Sequence, residues 1–182
     1  GYRIIIYDQR GAGRSTPNAE VRDNSTWKLL EDLELLRAHL QVDSWLLFGG
    51  SWGSTLALAY AAQYPMRCRG LVLRGIFLCT QTEIDWFLYG MGRFFPEHHE
   101  RFVRHLGQGE FTDLLQAYHS RLTNPDPEIH RPAASAWCEY ETACSTLLPQ
   151  ARGQVGRESN VDLAMARLEA HYFVNHGFFT DG

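Results

Sequence analysis

The sequence predicts an α/β fold: part of a parallel sheet that carries a sharp strand-to-helix turn, followed by a helical insertion. Three observations lead there. Short apolar runs at 2–7, 44–48 and 70–74 alternate with helical patterns, the order that builds a parallel sheet through crossovers. The second of these runs passes through Gly49-Gly50-Ser51-Trp52-Gly53, a G-x-S-x-G stretch, into the alanine- and leucine-rich run 54–60. After Phe77 strand-like runs give way to aromatic, helical-looking segments joined by proline-containing loops. The expected division is a partial α/β core over 1–78 and a helical cap over 79–182.

Tyr2-Arg3-Ile4-Ile5-Ile6-Tyr7 is rich in β-branched and aromatic residues, as expected of a strand buried on both faces of a parallel sheet. It opens into the glycine-punctuated loop Asp8-Gln9-Arg10-Gly11-Ala12-Gly13-Arg14-Ser15. A dinucleotide fingerprint fails there, since Thr16 stands where its third glycine belongs. Leu29, Leu33, Leu36 and Leu40 then recur at helical spacing between charged residues, an amphipathic helix over 26–40 that Ser25 or Thr26 can cap. The strand 44–48 follows, then the serine turn, a helix that stops at Tyr64-Pro65, and the buried strand Gly70-Leu71-Val72-Leu73-Arg74.

The turn carries the chemistry. A serine hydroxyl at its ordinary pKa is a poor nucleophile and has to be held out from the backbone within reach of a base. A strained residue between a strand and a helix does that, and glycines at 49 and 53 are expected to leave room for the backbone on either side of Ser51. The Trp52 backbone N–H would face a developing oxyanion. The bland alternative is a plain helix start capped by Ser51 or Ser54. A phosphate loop fails because no lysine follows Gly53.

Helices are expected over Glu83–Phe95, Glu97–Leu106, Phe111–Leu122, Ala133–Leu148 and Val161–Tyr172, with a break at Thr123-Asn124-Pro125-Asp126-Pro127. A net charge of −4 and a pI near 6.1 give no reason to expect nucleic acid or an anionic membrane as partner. Cys68, Cys79, Cys138 and Cys144 show neither C-x-x-C nor metal spacing and read as thiols of a reducing compartment, which points to the cytoplasm. The 182 residues begin at Gly1 without methionine and run straight into a β pattern, so the true N-terminus is expected to lie upstream.

These stretches together resemble the proline iminopeptidases of the α/β-hydrolase fold. Asp8–Ser15 is similar to that family's loop after its fourth strand, Gly49–Ser54 to its nucleophile motif, and Leu73-Arg74-Gly75-Ile76-Phe77 to the segment leading into its cap. Ala136-Trp137 with Glu141, and Leu168-Glu169-Ala170-His171-Tyr172-Phe173, resemble its cap motifs. The resemblance implies a serine aminopeptidase that releases N-terminal proline from peptides without metal or organic cofactor. Ser51 would be the nucleophile, with the Trp52 N–H in the oxyanion hole. Glu141 and Glu169 would bind the free amino group, with Phe77 against the pyrrolidine ring and Arg74 nearby. Where the family often has a tyrosine near Trp86-Phe87, this chain reads Leu88 and then Tyr89.

Two carboxylates suit a prolinium, whose single positive nitrogen offers two N–H donors, and the bland reading makes both glutamates helix-surface charges. The acid and base of such a site follow the nucleophile in the chain. Asp162 with His171 or His176 would keep that order but lies in the cap motif, while His39 precedes Ser51. His98-His99-Glu100 lacks H-E-x-x-H spacing, and no metal site is expected. The resemblance implies that acid and base come from strands beyond the insertion, so the chain is expected to be an internal fragment that is catalytically weak alone. An esterase or amidase on the same turn, and a non-catalytic binding protein of the same fold, are the competing readings.

Overall fold

Residues 1–107, 113–146 and 159–180 are described in a computed structural model. Their element order is α1 (Thr26–His39), β1 (Trp45–Ser51), α2 (Trp52–Gln63), β2 (Cys68–Ile76), α3 (Gln81–Leu88), α4 (Pro96–His105), α5 (Leu114–Leu122), α6 (Pro127–Ser145) and α7 (Ser159–Val174). They form two compact units, one of residues 23–85 with the stretch from Asn175, the other of residues 1–22 with 86–174.

In the first unit β1 and β2 pair in parallel, with Leu47 opposite Leu71, Phe48 opposite Val72 and Gly49 opposite Leu73. Helix α2 crosses between them and packs on both strands, and α1 packs on α2. Helix α1 begins where the Lys28 N–H donates to Ser25 Oγ, and it buries Leu29, Leu30 and Leu33. Leu36 and Leu40, expected on the same face, are half-buried. The Tyr60 hydroxyl of α2 and the Arg37 guanidinium both reach the Glu34 carboxylate, Arg37 through two bonds of 2.8 and 2.9 Å. This holds Glu34 below its usual range, Arg37 being the larger cause. The stretch after Asn175 ties back to the start of α1: Thr26 Oγ1 donates to the Gly177 carbonyl at 2.6 Å and the Trp27 indole to the Phe178 carbonyl at 2.9 Å.

The expected strand at 2–7 does not form. Residues 1–9 have no regular structure, and Ile4 and Ile6 are 80% and 87% exposed. β-branched residues favour a strand only where a neighbouring ladder takes their backbone groups and a covering layer takes their side chains. Among the described residues the ladder consists of β1 and β2, so the sheet has two strands rather than three.

The second unit is helical. Helices α4, α5 and α7 pack on α6, and α5 on α7, around Trp137, Phe102, Tyr118 and Tyr140, all buried. The ends of these helices are set by caps. Asp113 accepts from the Gln116 N–H at 3.0 Å and starts α5 at Leu114; the expected start at Phe111 lies outside the described residues. Asp126 accepts from the Glu128 N–H at 2.9 Å, and Pro127 at the first helical position starts α6 six residues before the expected Ala133. The expected end of that helix at Leu148 lies outside the described residues. Leu78 and Thr80 N–H groups both donate to Glu83, whose own N–H donates to Thr80 Oγ1, a capping box that starts α3 at Gln81. The helix expected to continue to Phe95 stops at Leu88 and is followed by a single 3₁₀ turn at Gly90–Arg93. In the loop 8–15, Asp8 accepts from the Arg14 N–H and Nε, and a side chain at Gly13 (φ +57°) would lie 2.4 Å from the Asp8 carboxyl carbon.

Candidate active site

Strand β1 ends on Ser51, and the next residue, Trp52, is the first of α2. Ser51 has φ +51° and ψ −124°, a conformation that costs an L-residue on the order of 1–3 kcal/mol and persists only where its surroundings impose it. The surroundings here can be named. The Ser54 hydroxyl donates to the Ser51 carbonyl at 2.6 Å and accepts from the Phe77 N–H at 3.0 Å. The Thr55 hydroxyl donates to the Phe77 carbonyl at 2.6 Å. Ser54 and Thr55 are buried, so these bonds join the first turn of α2 to the chain leaving β2 in a place closed to water.

The bland alternative of a serine cap is overturned at Ser51, whose side chain makes no capping hydrogen bond to α2 and is exposed. The glycines divide the work differently from the expectation. A Cβ on Gly49 would come within 2.1 Å of the Gly53 carbonyl oxygen, so residue 49 has to be glycine for the turn to close. A Cβ on Gly53 would meet nothing within 4 Å, so Gly53 contributes its backbone and not the space of a missing side chain.

Arg74 and Phe77 stand at the same end of the sheet. Arg74 pairs with Gly50 across the ladder, and its guanidinium lies over Gly50, where a Cβ would be 2.8 Å from it. Phe77 is half-buried and held at both backbone polar groups by Ser54 and Thr55. Ser51, Trp52, Arg74 and Phe77 therefore gather at the carboxyl end of two parallel strands, where ligands of open α/β sheets bind.

Glu141 and Glu169 belong to the helical unit, on α6 and α7. Trp137, one turn before Glu141, donates its indole N–H to Glu169 Oε2 at 2.6 Å. Burial and then the neighbouring Glu141 charge push Glu169 up to about 8, opposed by the Trp137 bond. The folded protein therefore holds the Glu169 proton more tightly than an ordinary carboxyl would, and a cation placed beside it would favour its ionised form. Trp137 was not singled out for any role by the sequence, although its spacing of four from Glu141 puts both on one side of a helix.

The other titratable candidates have structural partners. His99 Nε2 lies 2.9 Å from the Leu88 carbonyl oxygen and His130 Nδ1 2.8 Å from that of Asn124. The Asp162 carbonyl accepts from the Cys138 thiol at 3.5 Å, and His171 packs edge-on to Tyr172. His39 ends α1, and His176 opens a 3₁₀ turn with φ +50°. Among the described residues no group of three His, Cys, Asp or Glu is arranged to hold a metal, and no helix is long and apolar enough to cross a membrane.

Residues 1–137 match the family model of the alpha/beta hydrolase fold. Among curated proteins the chain is similar to a probable proline iminopeptidase of Leptolyngbya boryana, 49% identical over 98% of this chain and 56% of the relative. The proline iminopeptidase of Arabidopsis thaliana is 49% identical over 98% of this chain and 48% of its own length; that of Xanthomonas citri is 50% identical over 98% and 58%. The chain spans about half the length of the curated relatives it matches.

Proposed function

The chain belongs to the α/β-hydrolase fold family, and from that premise we propose that the protein is a serine aminopeptidase releasing N-terminal proline from peptides through an acyl-enzyme on Ser51. The observation that carries the reading is the strained Ser51 between β1 and α2, locked by buried Ser54. A plain helix start has no need of that strain. The names of relatives near half-identical over 98% of the chain supply the substrate class.

In this mechanism a general base, not assigned to any histidine of the chain, takes the Ser51 Oγ proton as Oγ bonds to the proline carbonyl carbon. The carbonyl oxygen becomes an oxyanion, held by the Trp52 N–H at the start of α2. The C–N bond then breaks, the departing amine takes the proton, and water attacks the ester to free proline and restore the hydroxyl. Glu141 and Glu169 receive the substrate ammonium, Phe77 packs on the pyrrolidine ring and Arg74 lies beside the elbow. An internal proline has no ammonium, so binding it would leave two carboxylates desolvated and unpaired, which restricts cleavage to the first residue. No metal or organic cofactor enters any step.

The same reading assigns 1–78 to a partial hydrolase core and 79–182 to a helical cap, supported by both strands and the elbow preceding Leu78 and α3–α7 following it. The spacing of Cys68, Cys79, Cys138 and Cys144, with neither C-x-x-C nor metal pattern, is the ground for a reducing, cytoplasmic setting.

The test is release of a chromophore from a proline amide, run beside a simple ester. Ser51→Ala is expected to abolish both, and Glu141→Gln with Glu169→Gln to cripple only the amide. Equal loss on amide and ester, or no loss on either, after the glutamate changes would transfer the protein to the esterases. Turnover that survives Ser51→Ala would remove the serine mechanism.

A further inference from the structure

Two buried tyrosines of the helical unit, Tyr118 and Tyr140, spend their hydroxyls on the backbone. The Tyr118 hydroxyl donates to the Phe102 carbonyl and the Tyr140 hydroxyl to the Phe87 carbonyl, as buried tyrosines ordinarily do. Trp137 instead gives its N–H to the Glu169 carboxylate. Its ring is fully buried and wedged among Phe87, Phe102, Tyr118 and Phe173, with centroid separations of 5.4 to 6.2 Å, so the direction of that N–H is fixed by packing.

We propose that Trp137 is the positioning residue of the amine-binding pair: its indole N–H holds Glu169 in place to receive an N-terminal ammonium while leaving the negative charge unspent. This rests on the reading of Glu141 and Glu169 as that pair. The choice of donor follows from charge. An arginine or lysine at this position would hold the carboxylate equally well but would cancel the charge the ligand needs, whereas a neutral donor orients it and occupies one direction of one oxygen. Because Trp137 and Glu141 lie one turn apart on α6, a single helix presents both the tether for Glu169 and the second carboxylate.

The titratable neighbours are consistent with this division. On α6, Glu141 raises Glu169, the Tyr140 hydroxyl is given to the Phe87 carbonyl, and burial pushes the Cys144 thiol up. On α5, His119 is set against His171 of α7. On α7 itself, Asp162 lies two turns earlier, with its carbonyl bonded to Cys138, and Arg167 donates to the Leu122 carbonyl. The Trp137 bond opposes the burial that raises Glu169, so losing it moves that carboxyl further upward.

The test uses L-prolinol, a cyclic secondary amine without a scissile carbonyl, titrated calorimetrically into the protein from pH 6 to 9, with N-acetylprolinol as the uncharged control. Wild type is expected to bind the amine and not the control, with affinity rising through the Glu169 titration. Trp137→Phe keeps a ring in the cluster and deletes the donor; it is expected to weaken binding about tenfold and move the pH midpoint upward, effects a packing role would not produce together. Unchanged affinity and midpoint in Trp137→Phe would overturn the positioning role and leave the aminopeptidase reading intact. Failure of wild type to bind the amine, or full binding by Glu141→Gln with Glu169→Gln, would overturn both. Should Trp137→Phe not fold, the wild-type Trp137 indole N–H resonance decides. It is expected to move across the Glu169 titration and again on adding L-prolinol, and indifference to both would end the proposal.

Discussion

At Gly49 and Gly53, two glycines of one motif, the structure asks opposite things of the backbone. A methyl group at Gly49 would strike the Gly53 carbonyl at 2.1 Å, and backbone cannot swing aside as a side chain does. Gly49→Ala is therefore expected to destabilise the protein by about 2 kcal/mol or more. Gly53→Ala enters open space in the first turn of α2 and is expected to be neutral or to stabilise by a few tenths to about 1 kcal/mol. Urea unfolding of the two variants measures both, and equal losses would contradict the geometry. The motif was legible as five letters; which glycine is indispensable was not, because it depends on how closely the backbone at 49 and at 53 approach once the turn has closed. Ser51 was legible too, but the hydroxyls of Ser54 and Thr55 that hold Phe77 were not, since their partner lies more than twenty residues away.

At the scale of the elements, α6 and α7 bring two acids of distant sequence into one electrostatic unit. Glu169 is raised above its ordinary 4.5 by burial and by Glu141, so the folded state holds the Glu169 proton more tightly than the unfolded chain does. The contribution of that proton to stability is fully present below about pH 4.5 and is lost as pH rises through about 8. Glu169→Gln, which has no proton to lose, is expected to fall behind or match wild type near pH 5 and to exceed it at pH 9. Melting temperatures of both proteins across that range check the crossing, and parallel curves would show that the carboxyl is not perturbed. Helix existence was readable from periodicity, while helix ends were not. Pro127 read as a loop residue until Asp126 placed it at the start of α6, and the helix expected to run to Phe95 stopped at Leu88.

For the molecule as a whole, β-type sequence leaves apolar side chains at the surface. Tyr2, Ile4 and Ile6 in the stretch before Asp8, and Phe48 on β1, are between 76% and 87% exposed. Unpaired β-type sequence with exposed apolar side chains is a template for association. The 182-residue chain is expected to self-associate with rising concentration and to bind a hydrophobic dye. Ile4→Lys with Ile6→Lys is expected to reduce both without lowering the melting temperature, because neither side chain is buried. Sedimentation of the two proteins reads the difference; a wild-type chain that stays monomeric at high concentration would refute the expectation.

The sequence by itself determined the turn motif and most of the elements: a serine between an apolar strand and an alanine-rich helix, helices from their 3.6-residue period, and carboxylates on two of them. Those features are local, set by a few neighbouring residues and the geometry of one backbone turn. Only the tertiary structure decided that residues 2–7 stay out of the sheet, that Gly49 and not Gly53 bears the constraint of the turn, that Phe77 is clamped by the start of α2, and that Trp137 holds Glu169. Each of these depends on what a group meets across a long separation in the chain: a ladder for its amides, a carbonyl against its Cβ, a carboxylate for its N–H. Propensity and periodicity carry no record of such partners, so packing alone could supply them.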